Sequence, residues 1–229
     1  VRTMFTALAA AVAMTTLAAA QTPAPPYAGE VISVSYVEFA DAQIASGRAA
    51  LIELRNKTQR EPSVSGDKVL AEIGQPQRFV VIESWASAEA QRVRMKSGND
   101  VLTTDWRQHG ALAPADLRIH KPYNVAPAKA FGPSTIYVVT HVDVGPPGLP
   151  GLEAILKPLA EKSRLESGAL QFDVVQTTTR ANHFSLIEAW ASPEAAQAHA
   201  VAAHTLEFRE KLNPLLGALY DQRFYKLVP

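Results

Sequence analysis

Phe184-Ser185-Leu186-Ile187-Glu188-Ala189-Trp190-Ala191-Ser192-Pro193-Glu194-Ala195 restates, 105 residues later, Phe79-Val80-Val81-Ile82-Glu83-Ser84-Trp85-Ala86-Ser87-Ala88-Glu89-Ala90. Residues 31–124 align with 136–229 without a gap, giving 20 identities in 94 pairs, about three times what this composition gives by chance. Asp116, Arg118 and Lys121 fall on Asp221, Arg223 and Lys226, and Leu51, Leu54 and Lys57 on Leu156, Leu159 and Lys162. The chain therefore reads as two similar domains, residues 30–125 and 135–229, joined by a breaker-rich linker, 126–134, that carries Pro127, Gly132 and Pro133.

Each copy has the same order of local signals. A β-branched run opens it, at 31–37 and 136–142. An amphipathic helix follows, with Ile44, Leu51 and Leu54 in one copy and Leu152, Ile155, Leu156 and Leu159 in the other at helical spacing. Pro158 inside the second helix predicts a late start or a kink. A strand pair comes next, turning at Gly74-Gln75-Pro76 in the first copy and near Arg180-Ala181-Asn182 in the second. Ser87 and Ser192 stand where helix N-caps belong, with Glu89, Glu194 and Pro193 in the first turn. Helix then continues to about residue 216, and last strands cover 117–120 and 222–227. Strand, helix, strand, strand, helix, strand is the ferredoxin-like plan, of class α+β. Its strands are apolar on both faces, so two antiparallel sheets are expected to pack against each other as an intrachain pseudo-dimer.

Composition narrows the chemistry. With 22 basic and 22 acidic residues there is no footprint for nucleic acid or a polybasic membrane contact. Without cysteine there is no disulfide, thiolate zinc site, iron–sulfur cluster or cysteine nucleophile. Residues 1–20, with Arg2, an Ala-rich apolar stretch and Ala18-Ala19-Ala20, have the layout of a signal peptide, and 21–29 form a Pro-rich tether. The expected location is secreted or periplasmic, with no membrane association after cleavage and a monomer as the simplest state.

Glu188-Ala189-Trp190-Ala191-Ser192-Pro193-Glu194-Ala195, followed by His199, His204 and Phe208, resembles the E-x-W…A…H…H pattern of antibiotic biosynthesis monooxygenase domains, and the first copy resembles it more weakly. The resemblance implies a dimeric α+β barrel with a small-molecule pocket between helices and sheet. It also implies cofactor-independent oxygenation of a quinol or polycyclic phenol by dioxygen, the alternative being a non-catalytic binder of an aromatic ligand or haem. Carried over, catalytic candidates are His199, His141 and Glu188, and substrate-binding candidates are Trp190, His204, Phe184 and Arg223. Glu188 has a second reading as an ion-pair partner of Arg223.

The first copy has Tyr36, Arg94 and Asn99 where the second has His141, His199 and His204, which points to the second-repeat pocket as the functional one. His109, His120 and His183 read as surface or filling residues. The haem-degrading branch has a helix Trp where His199 stands and a ligating His ten residues later, where Arg209 stands here, so haem is disfavoured. No metal site is expected either. On a continuous helix His199 and His204 would lie about 140° apart.

Overall fold

The computed structural model describes residues 29–98 and 104–229; the expected signal segment and nearly all of the tether lie outside the described residues. Eight antiparallel strands close into one barrel: β1 (Val31–Glu38), β2 (Val64–Glu72), β3 (Arg78–Trp85), β4 (Asp116–Asn124), β5 (Ile136–Asp143), β6 (Ala169–Thr177), β7 (His183–Trp190) and β8 (Asp221–Leu227). Their order around the barrel is β1-β3-β2-β8-β5-β7-β6-β4. Every strand of the second half begins 105 residues after its counterpart, at 136, 169, 183 and 221 against 31, 64, 78 and 116. Each half supplies a four-stranded ferredoxin-like sheet, and the halves join where β2 pairs with β8 and β4 with β6.

The helices α1 (Ile44–Thr58), α2 (Ala88–Lys96), α3 (Leu149–Arg164), α4 (Pro193–Ala200) and α5 (Ala203–Leu212) lie outside the barrel. Ser87 and Ser192 cap α2 and α4, each accepting a hydrogen bond from the backbone N–H three residues on. Helix α3 begins at Leu149 and runs through Pro158, so the late start is excluded. The long helix expected toward residue 216 is instead two helices, because Ala202 takes an extended conformation between α4 and α5. Among the described residues, no helix is long and apolar enough to cross a membrane.

Strand alternation sorts every functional candidate. Along β7, Phe184, Leu186 and Trp190 join the core beneath the second-repeat helices, while Ile187 and Ala189 join the barrel interior with Val34, Val80, Val139 and Tyr225. The linker lies against one end of the barrel: Lys129 donates to the Leu170 carbonyl, and the Phe131 ring rests 5.7 Å from that of Tyr137.

Toward the other end, a polar chain crosses the interior. The Tyr36 hydroxyl is 2.6 Å from His141 Nε2, although these residues are counterparts 105 positions apart, so the pseudo-twofold axis passes between them. His141 Nδ1 meets Ser185 Oγ at 2.9 Å, and the same hydroxyl meets His120 Nε2 at 2.9 Å. Burial pushes His120 down to about 4 and His141 down to about 3, reinforced by Arg118 and, for His141, by Arg223 and His120 against the pull of Asp221. Both imidazoles are therefore neutral in the fold. Once unfolded they take up protons below about pH 6.5, so their contribution to stability is complete above that pH and declines as acid drives it toward the folded values. His120→Asn is expected to lose less stability than the wild type between about pH 6.5 and pH 4.5, measured as urea midpoints. Parallel losses would remove His120 from the account.

Candidate functional site

On the helix side, β7 presents Glu188 and Trp190 to a buried layer: the indole N–H donates to Glu188 Oε2 at 2.9 Å, and Trp190 is fully buried. The first repeat builds the same pair differently. There the Ser33 hydroxyl stands between them, accepting from Trp85 Nε1 at 3.3 Å and donating to Glu83 at 3.0 Å. Val138 takes that serine's place in the second repeat, so Glu188 loses a hydroxyl donor. Burial then pushes the Glu188 carboxyl up to about 7, against the opposing pull of the Trp190 hydrogen bond and Arg209.

The break between α4 and α5 completes the cluster. His199 lies in the last turn of α4 and His204 in the first turn of α5, and the extended Ala202 turns both rings toward Glu166. Glu166 follows the C-terminus of α3, in a turn that needs Gly168 at φ +84, a left-handed conformation in which a Cβ would also meet that of Ala195 at 2.7 Å. His199 Nδ1 is 2.6 Å and His204 Nε2 2.9 Å from the same oxygen, Glu166 Oε1. The His199 ring stacks on Trp190 with centroids 4.5 Å apart, and its Nε2 is 3.8 Å from Glu188 Oε2. Burial holds His199 below its ordinary value although Glu166 pulls it upward. The space opening beside His204, bounded by Ile155, Pro158, Leu159 and Phe208, amounts to about 70 Å³.

His141 is not part of this cluster. It faces the barrel interior and lines a separate cleft of about 460 Å³ at the barrel end, with Phe184, Arg118, Arg180, His183 and Thr178. Arg223 also faces inward: its guanidinium lies 5.6 Å from the centre of the Tyr36 ring and pairs with Asp221 at 2.9 Å. The Glu188–Arg223 ion pair entertained from the sequence is therefore not formed, because the two side chains leave the sheet on opposite faces. Trp190 offers His199, not an open pocket, the face of its indole. Arg209 donates to the Ala200 carbonyl and Gln222.

Sequence reasoning missed four participants. Glu166 was legible only as an acid shared with Glu61 at the repeat offset. Tyr36, Ser185 and His120, the last read as filling, become a connected chain only when the barrel closes.

With this geometry in hand, comparison places the fold. The family model for antibiotic biosynthesis monooxygenase matches residues 135–211, the stretch that carries Glu166, Glu188, Trp190, His199 and His204. The chain is similar to a putative monooxygenase from Fusobacterium nucleatum subsp. nucleatum ATCC 25586 at 17% identity and TM-score 0.76, covering 89% of this chain and 94% of that one. A putative monooxygenase from Lactobacillus acidophilus NCFM aligns at 13% identity and TM-score 0.66, over 87% and 94%. An anthrone oxidase-like protein aligns at 14% and 0.66, over 88% and 92%. No curated protein sequence matches significantly. Residues 135–211 thus match that family model, and the chain as a whole shares the fold of these solved structures, closed as an eight-stranded barrel within one polypeptide.

The two tryptophans separate a general packing role from a local one. Trp190→Phe strips Glu188 of its indole donor, which should cost about 1–2 kcal/mol beyond the packing loss that both tryptophans share. Trp85→Phe should cost less, since Ser33 still donates to Glu83. Urea unfolding of both variants checks this, and equal costs would refute it.

Proposed function

We propose that the protein is a cofactor-independent monooxygenase acting on a quinol or polycyclic phenol, with His199 as the base. One observation carries this reading: within the segment matched by the monooxygenase family model, His199 is fixed at Nδ1 by Glu166 and directs Nε2 toward the buried Glu188. Nε2 takes the phenolic proton, and the electron-rich anion passes an electron to dioxygen. At an activated ring carbon one oxygen atom becomes the new carbonyl oxygen and the other leaves as water, so the substrate supplies all the electrons. Glu188 faces Nε2 at 3.8 Å, so a proton passes between them only once the two groups close by more than half an ångström. The 70 Å³ space has room for dioxygen but not for a ring, so in this reading α4 and α5 part at Ala202 to admit substrate. The Ala-rich residues 1–20 support an exported site of action.

A second reading rests on the cleft at the barrel end. Its volume of about 460 Å³ falls in the range of small-molecule sites, with Phe184 and His141 as an apolar wall and a polar anchor. It suits a binder of an aromatic ligand that catalyses nothing. Oxygen uptake with a panel of quinols, naphthols and anthrones separates the two. The first reading expects turnover of at least one compound and a fall of about 10²-fold or more in His199→Ala, with His141→Ala much less affected. Saturable binding without uptake, weakened by His141→Ala alone, would establish the second and overturn the first.

A further inference from the structure

The two copies solve one electrostatic problem in different ways. At the repeat offset, Ser163, Glu166 and His199 correspond to Thr58, Glu61 and Arg94. In the first repeat the buried Arg94 guanidinium bridges the other two, with Nη1 3.0 Å from Glu61 Oε1 and Nη2 3.1 Å from Thr58 Oγ1. A carboxylate and a hydroxyl are thus retained in both copies at the junction of the long helix and the helix after the E-x-W strand. The first copy answers them with a permanent cation. The second answers them with two imidazoles: His199 replaces Arg94, and His204, at the position of Asn99, comes within 3.5 Å of Ser163 Oγ.

The donor atoms of Glu166, His199 and His204 all lie within 4.8 Å of one another. They come from three separate elements, the end of α3, the end of α4 and the start of α5. Two imidazole nitrogens and one carboxylate oxygen gathered in this way are a donor set for divalent transition metals, with bonds of about 2.0–2.2 Å that in tetrahedral geometry set neighbouring donors about 3.3–3.6 Å apart. The present separations of 2.6 and 2.9 Å to Glu166 Oε1 reach that spacing by lengthening about 0.4–1 Å. The surroundings also suit a ligand: the Glu188 carboxyl faces the distal nitrogen of His199 at 3.8 Å, and Trp190 and Phe172 fix the ring from two sides.

We propose that Glu166, His199 and His204 form a binding site for a divalent transition-metal ion, which there takes the charge role that Arg94 fills in the first repeat. An ion on Nδ1 leaves the imidazole proton on Nε2, turned toward Glu188, so an ion-loaded site and a His199 acting as a base at Nε2 exclude each other. That exclusion rests on the proposed oxygenase reading; the binding of the ion does not.

The test uses the full chain, stripped with a chelator and titrated with Co²⁺, followed by its visible d–d absorption and then by Zn²⁺ displacement in calorimetry. A single site is expected, weakened at least ~10-fold in Glu166→Gln, in His204→Ala and in the more conservative His204→Gln. Glu61→Gln, at the first-repeat counterpart, and His183→Ala, which removes the separate His183–Asp143 pair at 3.0 Å, should bind as the wild type does. Thermal melts confirm that each variant is folded. Absence of Co²⁺ uptake by the wild type, or uptake that only His183→Ala abolishes, overturns the proposal. Oxygen uptake by the stripped protein reports separately on the oxygenase reading, and its inhibition by stoichiometric Zn²⁺ tests the exclusion.

Discussion

Pairing of β2 with β8 and of β4 with β6 is the constraint on which the rest of this molecule depends. Either half alone is a four-stranded sheet with two open edges and an apolar face that its own helices do not cover. Closure removes all four edges at once and buries Val34, Val80, Val139, Ile187 and Tyr225 in a shared interior. A chain with no cysteine has no covalent staple, so this mutual covering and the helix-side cores hold it together.

Closure also decides which residues can act together. Because the pseudo-twofold axis runs through the barrel, residues equivalent in the repeat can become neighbours, as Tyr36 and His141 do. The sheet separates two polar systems. Inside lies the chain of Tyr36, His141, Ser185 and His120; outside lie Glu166, Glu188, His199 and His204 around Trp190. His141 and His199, which look alike in the sequence as histidines absent from the first copy, therefore belong to different environments.

Divergence between the copies touches both faces of the sheet, and two exchanges on the helix side bear on the E-x-W carboxylate and its neighbours. Ser33 opposite Val138 changes how the E-x-W carboxylate is solvated, and Arg94 opposite His199 replaces a fixed charge with a proton- or metal-binding group. Both exchanges leave the backbone plan intact, because side chains under a helix can be replaced without altering strand pairing.

Element order, the 105-residue offset, the capping serines and the face assignments along β7 were legible without coordinates, since each depends on local periodicity or on short-range hydrogen bonds. The identities of Glu188, Trp190, His199 and His204 as one neighbourhood were legible through the family pattern. The tertiary structure alone decided that His199 and His204 converge, because a continuous helix would have held them apart and only the extended Ala202 brings them onto Glu166. It alone placed Arg223 and His141 on the far side of the sheet and made His120 part of a buried chain. These facts follow from strand closure and helix packing between residues tens of positions apart, which no local spacing encodes.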